Sequence, residues 1–154
     1  MDDWDTILAP SCVRLDAPAG SVRQVLDEAA RLLSAQHGLP EDLVARALRE
    51  REQLGSTALG QGVALPHARL KGLRQPRAAY LRLASPLPFD APDGQPVVDV
   101  FVLLVPERAN EQHLQLLAGV AERFAYPAWR SRLHGLASPV AVRELLVAEK
   151  DGTP

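Results

Sequence analysis

The chain has 154 residues, which suits one domain, spanning 1–154, built on one core. Hydrophobic residues make up 47%, enough to fill that core and to argue against wholesale disorder. The net charge is −2, the basic residues are scattered and aromatics are only 5%, which argues against a nucleic-acid-binding face.

The N-terminal stretch "MDDWDTILAP" is acidic and has no basic segment leading into an apolar run, so it does not read as a secretory signal. The single cysteine, Cys12, has no partner for an internal disulfide, which fits a reducing compartment. The spacing over 21–38 predicts a helix. Ser21 is its N-cap, Gln24 completes a capping box and Gly38 follows its end. Val22, Val25, Leu26, Ala29, Leu32 and Leu33 form its apolar face. A second helix starts with Pro40 at its first position and runs to about Glu52, with Leu43, Val44, Ala47 and Leu48 turned inward. Residues 54–62, "LGSTALGQG", read as a loop of small residues, and "VALPH" (63–67) as a short buried strand.

Residues 78–84 read as a strand, and 85–96, with four prolines and a glycine, as a loop. "VVDVFVLLVP" (97–106) is nearly continuous apolar sequence, as in a central strand covered on both faces, and Pro106 stops it. Asp99 and the run's length, far below the ~20 residues of a membrane helix, argue against membrane insertion, so a cytoplasmic protein is expected. Asn110 caps a helix with Leu114, Leu117, Val120, Ala121 and Phe124 on its inner face. A short helix covers 127–134 and ends at Gly135. Ser138 and Pro139 open a last helix to about residue 149, and 149–154 read as a frayed tail. Helices, then strands, then helices imply an α+β fold in α/β/α layers, with a mixed sheet flanked by helices on both faces.

Four histidines are the candidates for chemistry. His37 and His134 each sit in the last turn of a predicted helix, where the helix dipole favours them, and both read as structural. His67 follows Pro66, which restricts the backbone, and lies just beyond Gly60 and Gly62, which let the chain turn sharply. That pattern fits a presented imidazole, and it also fits an ordinary surface histidine. His113 falls at the third position of the helix capped by Asn110, where the backbone welcomes an anion; a solvated first-turn residue is the plainer reading. Arg51, in the charged helix end "REREQ", is by itself a solvated charge. No H-E-x-x-H pattern and no Walker loop is present, and two histidines without a fitting Cys or carboxylate pattern make a poor zinc site.

The stretch "REQLGSTALGQGVALPHA" (51–68) resembles the EIIA domains of the bacterial phosphoenolpyruvate-dependent phosphotransferase system, of the fructose/mannitol/nitrogen-regulatory type. The family pattern is an acidic or amide residue, six residues, an apolar residue, Gly or Ala, two residues, then aliphatic-Ala-aliphatic-Pro-His and a small residue. Glu52, Leu59, Gly60, Val63, Ala64, Leu65, Pro66, His67 and Ala68 fill it. Ala68 stands where glycine is commonest in the family, and its backbone is therefore expected to have an ordinary φ. Residues 85–106 and 110–124 also look like family segments, and the nitrogen-regulatory branch fits best.

The resemblance implies that His67 accepts a phosphoryl group from an HPr-like phosphocarrier protein (NPr). It implies that His113 supports the site, that Arg51 stabilises the phosphate, and that Ser56, Thr57 and Gln61 border it in a loop. No cofactor and no metal belong to that scheme. A regulator of this type would act on partners such as potassium-transport regulators or sensor kinases. Three other readings stay open: a sugar-specific EIIA passing phosphate to an EIIB domain, an interaction module that works without phosphate, and a metal-dependent hydrolase using His67 and His113.

Overall fold

A computed structural model describes residues 4–108 and 110–148, so the tail expected at 149–154 lies outside the described residues. Helix α1 (Trp4–Ile7) and a 3₁₀ turn (Pro10–Cys12) lead into strand β1 (Val13–Ala17). Helices α2 (Val22–His37) and α3 (Glu41–Gln53) follow. Then come β2 (Ala58–Gly60), β3 (Val63–Ala64), β4 (His67–Leu70), β5 (Arg77–Leu87) and β6 (Val97–Pro106). Helices α4 (Glu111–Phe124), α5 (Pro127–His134) and α6 (Pro139–Val147) complete the order.

The strands form one mixed sheet in the order β1-β5-β6-β3-β2, with β4 also paired to β6. β5 and β6 are antiparallel, as are β2 and β3, while β1 runs parallel to β5 and both β3 and β4 run parallel to β6. In β6 every residue from Val100 to Val105 is buried, odd and even positions alike. Both faces of that strand are therefore covered, as its unbroken apolar sequence requires. The fold is α+β, with helices flanking the sheet.

Most expected elements form, with instructive shifts. Ser21 caps α2 by accepting from the Gln24 N–H at 3.1 Å, but the Gln24 side chain reaches past it to the Gly20 N–H. Pro40 is the N-cap of α3 rather than its first turn. β1 and β2 were not expected. β1 is short and has one exposed position, and β2 hides in the small-residue loop. Tertiary pairing supplies what local pattern does not: β1 is held by β5, and β2 by a two-residue turn in which Gln61 and Gly62 both have positive φ. β5 continues through Ser85 and Pro86, which were expected to be loop, because their part of the chain still follows β6 as far as Leu87.

Two histidines expected to serve helix ends do more than that. His134 Nε2 lies 2.8 Å from Asp99 Oδ2, and the Tyr80 hydroxyl donates to Asp99 Oδ1 at 2.5 Å. Asp99 is only 1% exposed, so these two partners satisfy a carboxylate that water does not reach. Burial, reinforced by the neighbouring Asp99 charge, pushes the Tyr80 phenol far above its ordinary range. Around it, Tyr80 stacks with Phe124, and Phe124 meets Trp129 edge to face at 4.9 Å. His37 has a buried Nε2 with no hydrogen-bond partner among the described residues. Burial, with Arg77 adding to it, pulls its pKa below the ordinary 6.5, so desolvation outweighs the favourable helix end. Among the described residues no helix is long and apolar enough to cross a membrane.

Replacing Tyr80 by Phe removes one of the two donors of a buried carboxylate, and a loss of about 1–3 kcal/mol in urea unfolding is expected, with the m-value unchanged. For His37 the folded pKa lies below the unfolded one, so the unfolded chain binds the extra proton first as pH falls. The stability of wild type relative to His37→Gln is expected to fall as pH drops below 6.5 and to level off below the folded pKa, measured as the difference in urea midpoints across that range.

Candidate functional site

The site starts from a break in a strand. β3 and β4 both lie along β6 in one register, Val63 opposite Asp99, Ala64 opposite Val100 and His67 opposite Leu103. Between them, Pro66 has no N–H to give to the ladder. Its carbonyl still accepts from the Leu103 N–H at 3.0 Å, so the line of the strand is kept while its pairing is interrupted. His67 thus opens β4 rather than ending the strand expected at 63–67.

The interruption gives the ring a local partner. His67 Nδ1 lies 2.8 Å from the Leu65 carbonyl oxygen. A carbonyl can only accept, so Nδ1 carries a hydrogen, and in the neutral ring the lone pair is on Nε2. The half-buried ring borders two clefts. One, of about 330 Å³, is lined by Arg51, Ser56, Thr57, Leu59, Leu65 and Leu117 among others. The second, of about 610 Å³, is lined by Arg51, Leu54, Arg69, Leu114 and Leu117 among others. Arg51 is the cation common to both, and its Nη1 donates to the Gly55 carbonyl at 3.0 Å.

Of the expected apolar face of α4 only Val120 and Phe124 are fully buried, and Leu116, which was not expected there, joins them in the core. Leu114 is 49% exposed and, with Leu117, faces the clefts beside His67. Leu54 (84% exposed) and Leu59 (48% exposed) add to the apolar surroundings. His113 lines neither cleft. It sits one turn before Leu117, on the same side of the helix. There it completes a capping box: its N–H donates to Asn110 Oδ1 at 3.1 Å, and its Nδ1 accepts from the Asn110 N–H at 3.3 Å. With Nδ1 accepting, the ring hydrogen is on Nε2.

The three loop candidates have other obligations. The Ser56 hydroxyl donates to the Phe89 carbonyl, and its oxygen accepts from the Ala58 N–H. The buried Thr57 hydroxyl donates to Glu52 Oε1 at 2.7 Å, and the Thr57 N–H to Glu52 Oε2 at 3.0 Å. Gln61 lies in the β2–β3 turn and lines a separate cleft of about 100 Å³ that does not include His67. Its N–H donates to Asp93 Oδ2 at 2.7 Å, and its Oε1 accepts from Arg130 at 2.7 Å. The structure therefore gathers His67, Arg51, Ser56 and Thr57 at one cleft, places His113 one turn before the cleft-lining Leu117 on α4, and leaves Gln61 apart. Glu52 and Asp93 were not read as site residues. Asp93 also explains Gly60, where a Cβ would lie 3.1 Å from its carboxylate on a backbone of φ +98°. Ala68 is not among the positive-φ residues, as expected. Among the described residues, no group of three or more His, Cys, Asp or Glu side chains is placed to hold a metal.

The family described as phosphoenolpyruvate-dependent sugar phosphotransferase system, EIIA 2, matches residues 6–148. The chain is 40% identical over 151 residues to the nitrogen regulatory protein of Pseudomonas aeruginosa, covering 96% of this chain and 97% of that one. It is 30% identical over 148 residues to the fructose-specific EIIA component of Haloferax volcanii, covering 94% of each. The crystal structure of nitrogen regulatory protein IIA-Ntr from Neisseria meningitidis superposes with a TM-score of 0.87 at 42% identity, over 92% of this chain and 97% of that one. The chain belongs to the EIIA 2 family of the phosphotransferase system and is a phosphocarrier domain homologous to nitrogen-regulatory EIIA.

Proposed function

We propose that the chain is a nitrogen-regulatory EIIA that accepts a phosphoryl group on Nε2 of His67 from an HPr-like carrier and binds regulatory partners according to its phosphorylation state. One observation carries this reading: the 2.8 Å contact of Nδ1 with the Leu65 carbonyl, which leaves the Nε2 lone pair as the free nucleophile of the ring. The likeness to the two nitrogen regulatory proteins supports the choice of branch.

The step balances simply. The Nε2 lone pair attacks the phosphorus of the donor's phosphohistidine, and the donor P–N bond breaks as the new one forms. The donor imidazole leaves with its lone pair. Positive charge passes to the His67 ring, where the Leu65 carbonyl steadies it through Nδ1–H. Transfer of this kind needs positioning and charge stabilisation more than covalent help. Arg51, which lines both clefts, supplies positive charge, and the Nε2–H of His113 is the second donor for the phosphoryl oxygens. The Ser56 and Thr57 hydroxyl hydrogens are spent on Phe89 and Glu52, so their part is to shape the loop. The exposed leucines around the ring exclude water once a carrier docks, which protects a labile P–N bond. Phosphorylation then sets two negative charges in an apolar setting, enough to change which surface binds there.

Intact-mass spectrometry after incubation with phosphoenolpyruvate, enzyme I and an HPr-type or nitrogen-type carrier tests this reading. One acid-labile phosphoryl group is expected on wild type and none on His67→Ala, whose thermal midpoint should stay near that of wild type because the ring is not a core element. Retention of the group in His67→Ala would overturn the assignment. Arg51→Ala is expected to slow transfer by about 100-fold in a quenched-flow assay, and Arg51→Lys to restore only part of the rate. The fructose-specific relative favours a second reading, in which phosphate passes on to an EIIB cysteine; efficient transfer to an EIIB domain would select it.

A further inference from the structure

Four hydrogen bonds run in an unbroken line from α3 to the His67 ring. Glu52, in the last turn of α3, accepts from the Thr57 hydroxyl at 2.7 Å and from the Thr57 N–H at 3.0 Å. The Thr57 carbonyl accepts from the Leu65 N–H at 3.0 Å. The Leu65 carbonyl accepts from His67 Nδ1–H at 2.8 Å. Leu65, the residue that Thr57 holds by its N–H, therefore also carries the oxygen that orients the imidazole.

From this line we infer that Glu52 is a positioning residue: through Thr57 and Leu65 it fixes the tautomer and direction of the His67 ring. The inference rests on the reading of His67 as the acceptor. First, Leu65 sits where the β3–β4 pairing is interrupted at Pro66, so the cross-link to Thr57 replaces support that an intact ladder would give. Second, Thr57 is buried, so its two donors need an acceptor inside the protein, and both find it in one carboxylate. Third, the loop that Glu52 holds also carries Gly55, whose carbonyl takes the Arg51 guanidinium at 3.0 Å. Glu52 and Arg51 are consecutive residues, and each grips the loop at a different point. With its carboxylate spent on Thr57, Glu52 leaves the neighbouring guanidinium to the cleft instead of pairing with it.

The line also states what chemistry position 52 requires. Two donors on Thr57 call for an acceptor, and a carboxylate meets both. A carboxamide oxygen meets the N–H, while its NH₂ can donate to the hydroxyl oxygen. The role is hydrogen bonding, not charge, so Glu52→Gln should retain it and Glu52→Ala should not.

The test reads the ring directly. The ¹⁵N chemical shifts of His67 report which nitrogen holds the hydrogen, without any carrier present. Wild type and Glu52→Gln are expected to show a single Nδ1–H tautomer. Glu52→Ala is expected to show a mixture of tautomers, with phosphoryl transfer slowed about tenfold and the Michaelis constant for the carrier little changed. Thr57→Val removes only the hydroxyl bond and is expected to shift the ring in the same direction by less, which keeps the test open should Glu52→Ala fail to fold. A folded Glu52→Ala with the wild-type tautomer and rate would overturn the inference, as would an unshifted ring in Thr57→Val if Glu52→Ala does not fold. A tautomer change in a protein whose wild type takes no phosphoryl group would sink the acceptor reading and leave the positioning role standing.

Discussion

The contact between the His67 ring and the Leu65 carbonyl is the constraint on which the site depends. It joins residues two apart, a separation at which the side chains of a regular strand point the same way but the ring cannot turn back onto the backbone without a break. Pro66 supplies the break. By withholding one N–H from the ladder it separates β3 from β4 while the register with β6 carries on across it. The sheet thus holds the histidine rigidly by its backbone and leaves its side chain free to be set by one hydrogen bond. A ring held in this way presents one nitrogen, as the proposed in-line transfer between two imidazoles requires.

Around that contact, single elements serve both core and site. α4 buries Leu116, Val120 and Phe124 against the sheet and offers Leu114 and Leu117 to the clefts, so one helix anchors itself and builds the wall beside His67. Its first turn is closed by Asn110 and His113, and the closure itself decides which nitrogen of His113 carries the hydrogen. α3 behaves similarly. Val44, Ala45 and Leu48 pack inward, and its last turn holds the 54–58 loop at two points, through Arg51 and Glu52. The glycine-rich segment after it is therefore an ordered strap, tied also at Ser56 and, in the β2–β3 turn, by Asp93.

A second polar centre lies within the core. Asp99, in the central strand, is reached by Tyr80 from β5 and by His134 from α5. The two partners spread one buried charge over hydrogen bonds to separate elements and so tie α5 to the sheet. Any shift that parts Asp99 from Tyr80 or His134 leaves a buried carboxylate oxygen without its partner.

The sequence by itself determined helices α2 to α6 and the central strand, and it singled out His67 among four histidines. Helix periodicity, the Ser21, Asn110 and Ser138 caps, and the β-branched run at 97–106 are local signals that burial merely amplifies. The nine motif positions ending in Ala68 pointed to His67 through their resemblance to the family pattern, since the Pro-His context alone also fits an ordinary surface histidine. The sequence could not reveal β1 and β2, whose short segments become strands only when β5 and β3 offer partners. Leu114 was expected inside and Leu116 is buried instead; the two lie on opposite sides of the helix, each with apolar neighbours three or four residues on, and the direction of the sheet decides which side is buried. The commitments of Ser56, Thr57, Gln61 and His134 belong to the same class. A hydroxyl or imidazole has the same donors wherever it lies, and only the folded chain brings Phe89, Glu52, Arg130 or Asp99 within reach of it.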